Sequence, residues 1–240
     1  MTDGSVLLER VREALRADLR IGFDGQPFVL TLSDGDLVIE GEVADVSAKR
    51  RALRRAAAAI AGRFIVDRLH VRPATPMQDG PIRDLVRDAV LEEPALSQCR
   101  VREFVKGDLE PVRAPPDATG TIDIRVEDGV VTLDGDVTGL AQKRLAGALA
   151  WWVPGSRDVI NGLGVTPSET DSDFEIADAV RLVLEKDPFV NADQLRVGVR
   201  NAVVALDGLV PTEDERDMAE HDAWYVFGVE DVVNRVEVRR

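Results

Sequence analysis

The feature that most constrains the fold is an internal repeat, because three segments of the chain share one pattern of apolar residues. In each segment every second residue is apolar, which is typical of a strand that turns one face to a core. The three aligned sets are Phe28, Leu30, Leu32; Ile122, Ile124, Val126; and Leu195, Val197, Val199. A repeat in three registers predicts three copies of one small unit.

A two-residue turn follows each of these strands. Asn or Asp followed by Gly favours the tight hairpin turn in which φ is positive at both positions. The turns are Asp34-Gly35, Asp128-Gly129 and Asn201-Ala202. The third copy has lost its Gly, so its turn is expected to be strained or differently shaped. A second strand follows each turn, and an acidic residue and Gly interrupt it at Glu40-Gly41, Asp134-Gly135 and Asp207-Gly208. Gly within a strand favours a bulge or a close backbone approach over a ligand site.

Helices and a third strand complete each unit. A helix with apolar residues at i, i+4 and i+8 precedes each first strand. Its residues are Leu7, Val11, Leu15; Ile82, Val86, Val90; and Ile176, Val180, Leu184. A second, alanine-containing helix leads to a strand at 65–71, 159–165 and 232–238. The pattern predicts an α+β protein of three tandem αββαβ units, each a small three-stranded mixed sheet with two helices on one face.

The expected unit boundaries are 1–73, 79–166 and 172–240, and the second unit is longer than the other two. Val90 and Ile122 are separated by about 21 more residues than Leu184 and Leu195, which places an insertion at about 99–120. Residues 101–105 and 109–112 alternate around Lys106-Gly107-Asp108. This pattern predicts a short hairpin within the insertion.

Composition excludes several kinds of protein. The chain has 240 residues, 30 Lys and Arg, 44 Asp and Glu, and a net charge of −14. No run approaches the roughly 18 apolar residues of a membrane-spanning helix. Cys99 has no cysteine to pair with, and with His70 and His221 it cannot complete a four-ligand zinc site. No nucleophile and base converge in the sequence, so we expect no enzyme activity, no metal and no cofactor.

The repeat resembles the BON domain, a family named for bacterial OsmY and nodulation proteins. The resemblance is carried by the strand-turn-strand motif at 126–137, by Val153-Pro154-Gly155 with Val159-Ile160-Asn161, and by 228–234 in the third unit. It implies an αββαβ interaction module without enzyme activity, associated in bacteria with phospholipid membranes. One cytoplasmic relative, which carries a LysM domain, binds potassium.

The second helix of the first unit carries a run of basic side chains, and these are the candidate residues for binding a phospholipid surface or a protein partner. They are Lys49, Arg50, Arg51, Arg54 and Arg55. Each cation close to an anionic bilayer contributes about 1 kcal/mol. Residues 51, 54 and 55 are expected to point away from their own sheet. The alternatives are a solvated helix face or a pairing with the acidic third unit. No basic stripe interleaved with aromatic residues is present, so nucleic acid is not expected.

The corresponding helix of the second unit is apolar around its circumference, since no polar side chain occurs from Leu145 to Val153. One unit cannot bury both faces of such a helix. The expected apolar contact residues are Leu145, Leu149, Trp151 and Trp152. They would pack between units or between chains, or dip into a membrane interface; packing against protein is favoured because large apolar patches more often mark protein contacts.

The sequence thus predicts a non-enzymatic tandem binding or scaffolding protein that associates with phospholipid membrane surfaces or envelope-related partners. A cytoplasmic, potassium-binding or ion-responsive stress protein is one alternative, and a purely structural oligomeric protein is another. Since the N-terminal residues have no basic region followed by an apolar stretch, a cytoplasmic location is expected. A periplasmic location would require that the native N-terminus be missing.

Overall fold

The computed structural model describes residues 3–25, 28–60 and 62–239, with the side chain of Asp3 outside this description. The chain divides into two compact units, Met1–Arg72 and Pro73–Arg240. The second of these units contains two copies of the repeat. The three-unit boundaries expected from the sequence stay a prediction.

The first compact unit has the element order helix, strand, strand, helix, strand. Its elements are α1 (Asp3–Arg16), β1 (Val29–Ser33), β2 (Asp36–Val43), α2 (Val46–Ala59) and β3 (Ile65–Val71). β1 and β2 are antiparallel, and β2 and β3 are parallel. Both helices pack together, and the predicted apolar positions of α1 are buried. The carboxylate of Asp45 accepts the Ala48 N–H and caps α2.

The first half of the second compact unit contains a larger sheet than the sequence predicts. Its elements are α3 (Asp79–Glu92), β4 (Cys99–Val105), β5 (Asp108–Arg113), β6 (Gly120–Glu127), β7 (Val130–Val137), α4 (Leu140–Trp151), β8 (Asp158–Asn161) and β9 (Gly164–Val165). The hairpin predicted in the insertion is confirmed as β4 and β5. A three-stranded sheet is wrong here, because β4 pairs with β6 in parallel and gives the order β5-β4-β6-β7-β8, with β9 also beside β7.

The second half of this compact unit returns to the simple pattern. Its elements are α5 (Asp173–Lys186), β10 (Leu195–Arg200), β11 (Val203–Val210), α6 (Glu213–Tyr225) and β12 (Asp231–Val238). β10 and β11 are antiparallel, and β11 and β12 are parallel. Helices α4, α5 and α6 contact one another, so the two repeats of this unit share a helical layer.

The positive φ predicted for the Asp-Gly turns is confirmed, and the turn that lacks Gly keeps their shape rather than a different one. Asn201 and Ala202 have φ of 51° and 58°, close to the 52° and 76° of Asp128 and Gly129. Ala202 therefore adopts the left-handed conformation without the glycine that favours it. The close backbone approach predicted for the strand glycines is also confirmed at Gly135 and Gly208, where a Cβ would collide with the backbone carbonyls of Thr121 and Gln194.

A carboxylate at the start of a helix holds each of the two turns in the second compact unit. Asp79, the first residue of α3, accepts the backbone N–H groups of Asp128 and Gly129 at 3.1 and 2.8 Å. Asp173, the first residue of α5, accepts those of Asn201 and Ala202 at 2.7 and 2.8 Å. Each hairpin is thus tied at its tip to the helix that precedes it.

Candidate functional site

The basic run on α2 does not form one continuous surface, because Lys49 lies inside the first unit. Its Nζ donates to the backbone carbonyl of Leu69 at 2.6 Å and lies 3.0 Å from a carboxylate oxygen of Asp67. Only 6% of Lys49 is exposed. The ammonium therefore joins α2 to β3, and it is not presented to a membrane or a partner.

Arg51 is also buried, with 1% of its surface exposed. The direction that the sequence predicts for Arg51, away from its own sheet, stays a prediction, but its burial means that it is not presented to a membrane or a partner. Helix α1 packs on α2, and the long aliphatic stem of an arginine can be buried in such packing. Of the five predicted basic residues, Arg50 and Arg54 are partly exposed and Arg55 is exposed.

A surface feature beside Arg55 is absent from the sequence-based prediction. Asp18 is buried and accepts from Arg20 Nε at 3.1 Å and from Arg55 Nη2 at 3.4 Å. The hydrogen bonds from Arg20, with a smaller contribution from Arg55, lower the pKa of Asp18 to about 2. One carboxylate thus holds two guanidinium groups, and the trio keeps a net positive charge.

The same turn projects an apolar side chain into solvent. Leu19, between Asp18 and Arg20, begins a short 3-10 turn and is 90% exposed. Asp18 caps this turn by accepting the Arg20 N–H, and the turn leaves Ile21 buried. An Asp before a short turn is a local sequence signal, but the outward direction of Leu19 depends on the packing of the turn against α2. We define the basic turn surface as Leu19, Arg20 and Arg55.

The apolar helix α4 packs against the next repeat. Leu145 and Leu149 are buried, and Trp151 and Trp152 are partly exposed. Trp152 donates its indole N–H to a carboxylate oxygen of Asp222 on α6 at 2.8 Å. Trp151 stacks on Tyr225 with ring centroids 5.9 Å apart. Both tryptophans therefore contact the repeat that follows in the chain.

Asp222 is a buried acid in this helical layer. Its pKa is raised to about 8, chiefly by burial; the hydrogen bond from Trp152 opposes this shift and the carboxyl of Asp187 adds to it. Asp187 is itself buried at the end of α5. At neutral pH the preferred state of Asp222 is therefore the neutral acid, which is the form that an apolar helical layer tolerates.

Charged contacts reinforce the interface between the two repeats. The fully buried Arg144 of α4 donates to the backbone carbonyl of Phe227 at 2.9 Å and to the carboxylate of Asp171 at 2.6 Å. Lys186 of α5 pairs with the buried Glu93 at 3.0 Å. These contacts cross from one repeat to the other, so the second compact unit is held by polar as well as apolar interactions.

The described part of the chain holds no group of three or more His, Cys, Asp or Glu side chains arranged for a metal ion. Within residues 3–25, 28–60 and 62–239, none of the helices has the length and apolar character needed to cross a bilayer.

The element order, the mixed sheets and the shared helical layer define a class of small α+β repeat domains. The BON domain family model matches residues 112–167 and 172–240, just over half of the chain. This protein therefore belongs to the BON domain family, and membership points to a non-catalytic interaction or scaffolding role. The model leaves the first repeat unmatched.

Two solved structures show weak similarity. Both are of CdsD, a structural protein of the type III secretion system of Chlamydia trachomatis. The C-terminal domain is 13% identical with a TM-score of 0.26, covering 98% of each chain. The other is 14% identical with a TM-score of 0.25, covering 97% of this chain and 92% of that chain. Similarity at this level carries no inference about function. No curated protein matches the chain.

Proposed function

We propose that this chain is a non-enzymatic binding and scaffolding protein whose first unit is a third, diverged BON unit and associates with anionic phospholipid surfaces. The observation that carries the proposal is the basic turn surface, where an apolar side chain that is 90% exposed projects beside two guanidinium groups. Peripheral membrane binding combines these two elements, apolar insertion and attraction to anionic headgroups.

The magnitudes favour a weak, reversible association. Burying one leucine in the acyl boundary contributes about 2 kcal/mol, and each nearby cation contributes about 1 kcal/mol. The net charge of −14 opposes the approach of the whole chain. Association therefore requires that the basic turn surface face the bilayer, and we expect it to weaken as salt screens the headgroups.

The aromatic side chains of α4 are the other feature that membranes would attract, but they are engaged elsewhere. Trp152 donates to Asp222 and Trp151 stacks on Tyr225. Inserting either ring into a bilayer would break these contacts. This supports the first unit, rather than α4, as the lipid-binding part of the molecule.

Flotation with phosphatidylcholine vesicles, with and without phosphatidylglycerol, tests the proposal. We expect the chain to float only with the anionic vesicles, and we expect Leu19→Ser and Arg55→Glu each to reduce the bound fraction severalfold. Asp67 faces α2, so its neighbours Val66 and Arg68 lie on the opposite face of the sheet. Val66→Ser and Arg68→Glu are therefore matched controls and should bind normally. Equal flotation of all five proteins, or none with the wild type, contradicts the proposal.

The potassium-binding and structural-oligomer alternatives stay predictions, as does the cytoplasmic location. A selective rise in melting temperature in potassium over sodium chloride would favour the first alternative. A defined oligomer that dissociates on dilution would favour the second.

A further inference from the structure

The two repeats of the second compact unit differ at one edge of their sheets. In the first of them, β4 lies beside β6 in parallel, with Cys99–Glu103 opposite Gly120–Ile124. The repeat makes β10 the counterpart of β6, since Ile124 aligns with Val197. β10 is the outermost strand of its sheet, with β11 on one side and no described strand on the other. An edge strand of this kind is a template for a further strand.

The helix behind this edge carries an arginine that meets an acidic residue of a neighbouring strand only where the extra strand exists. Arg87 of α3 lies 3.5 Å from the carboxylate of Glu103, the β4 residue opposite Ile124. Its counterpart Arg181 on α5 donates instead to the backbone carbonyl of Val197, at 3.0 Å. Arg181 is exposed and pairs otherwise with Asp178 on its own helix. The guanidinium is thus placed where an acidic residue of an added strand would reach it.

The outward side chains of the two edges have opposite charge. On β6, Asp123 forms a two-bond pair with Arg102 of β4, with both distances 2.6 Å. The counterpart of Asp123 on β10 is Arg196, and Arg200 stands where β6 has Glu127. Arg196 and Arg200 are both exposed. A strand added to β10 would therefore need acidic side chains where β4 has a basic one.

The outer face beside this edge has room for an apolar side chain. An open depression of about 450 Å³ is lined by Gly198, Val199, Val203 and Ala205 among others. Nothing lies within 4 Å of a Cβ built at Gly198. Alternate side chains of an added strand point to this face, so one of them can fill the depression.

We propose that β10 docks an extended acidic segment of a partner protein, which adds to the sheet parallel to β10 and pairs its carboxylates with Arg196 and Arg181. β4 is the template for this occupant, because it covers the equivalent edge within the same chain. The inference goes beyond phospholipid association, since it concerns a different repeat and a different chemistry.

A pair of synthetic peptides tests the docking on the full chain. One peptide copies residues 98–106 with Cys99→Val, Arg100→Glu and Arg102→Glu, and the second carries Cys99→Val only. In ¹H–¹⁵N spectra the acidic peptide should shift the amide signals of β10, and its dissociation constant should be about tenfold lower than that of the basic peptide. Equal affinity of the two peptides, or shifts confined to the other sheet edges, overturns the proposal.

Charge reversal on the protein completes the test. Arg196→Asp should weaken the acidic peptide about tenfold and strengthen the basic peptide. Arg239→Asp, an equal charge change at an exposed residue that follows β12, should leave both affinities unchanged. Arg196 is exposed, and an unaltered spectrum away from β10 establishes that the variant is folded. If Arg196→Asp still prefers the acidic peptide as strongly as the wild type does, the proposed docking on β10 is contradicted. It is also contradicted if the wild-type chain self-associates through β10 and so excludes the peptide. Loss of vesicle flotation would leave all these outcomes unaffected.

Discussion

The joint between the second helix and the last strand of a repeat is built in two different ways. In the two repeats of the second compact unit, an asparagine makes it. Asn161 donates its amide to the Lys143 carbonyl at 2.7 Å, and Asn234 donates to the Arg216 carbonyl at 3.1 Å. Each asparagine also accepts a backbone N–H two residues later with its oxygen. One side chain thus hydrogen-bonds both to the backbone of the helix and to the backbone that follows it in the strand.

The first unit has Asp67 at the equivalent position, and a carboxylate cannot donate to a helix carbonyl. Asp67 still accepts the Leu69 N–H at 2.9 Å, and Lys49 from α2 donates to Asp67 and to the Leu69 carbonyl. The same contact between helix and strand is kept by an ion pair between the buried Lys49 and the more exposed Asp67. The comparison shows that a lysine in one repeat can take the structural role of an asparagine in the others. A run of charged residues in the sequence therefore does not by itself indicate an exposed surface.

The largest expected effect comes from breaking the contact that the end of α4 makes with α6. Trp152→Ala should lower the free energy of unfolding by about 3 kcal/mol, because it removes a large aromatic contact and the hydrogen bond to Asp222. Urea unfolding followed by circular dichroism measures this loss. Trp152→Phe keeps the ring and removes the donor, so its loss should be about 1 kcal/mol. If Trp152→Ala lost less stability than Trp152→Phe, the aromatic ring would contribute little to the contact between the two repeats.

A smaller effect is expected from Lys49, and a double variant converts one form of the joint into the other. Lys49→Met should lower the free energy of unfolding by about 2 kcal/mol, chiefly because the carbonyl of the buried Leu69 loses its donor. The loss of the cation beside the more exposed Asp67 adds little. Adding Asp67→Asn supplies an amide that can donate to the carbonyl of residue 49. The double variant should recover most of the loss in the same unfolding assay. If the double variant instead showed the sum of the two single-variant losses of stability, the lysine and the asparagine would not be equivalent in connecting the helix to the strand.

The smallest effect concerns the pH dependence of the helical layer that the two repeats of the second compact unit share. The pKa of Asp222 is raised to about 8 when folded, so the folded state keeps a proton that the unfolded state loses above pH 4. Stability from this group therefore falls as pH rises from about 4 to 8, by about 1.4 kcal/mol between pH 6 and 7.

Asp222→Asn still offers an acceptor to Trp152 and has no proton to lose. The difference in unfolding free energy between variant and wild type should therefore shift in favour of the variant by about 1.4 kcal/mol from pH 6 to pH 7. Equilibrium unfolding at both pH values measures it. A difference that is constant with pH would show that Asp222 is ionised in the folded state.

Local patterns predicted much of the fold because they act over a few residues. Alternation predicted the hairpins, the Asp-Gly turns predicted positive φ, and the spacing of Ile82, Val86 and Val90 predicted a helix whose buried face they form. The insertion was predicted as a hairpin for the same reason. Its pairing with β6 was not, because the partner of a strand depends on contacts distant in sequence.

The candidate site was less predictable than the fold. Lys49 and Arg54 look alike in the sequence, and only the position of Asp67 across the unit places one of them inside. Asp222 looks like a solvated helix residue, and its burial depends on Trp152 from the preceding repeat. Leu19 looks like a core residue of a short helix, and its exposure follows from the turn that Asp18 caps.

The carboxylates of Asp79 and Asp173 have a consequence for strand alignment. Each receives two adjacent N–H groups at the tip of a hairpin. A slip of one residue between the paired strands would turn every inward side chain outward, and it would also move these donors away from their fixed acceptor. The carboxylate on the preceding helix therefore favours a single register of the two strands. This holds even in the third repeat, where Ala202 makes the turn conformation itself unfavourable.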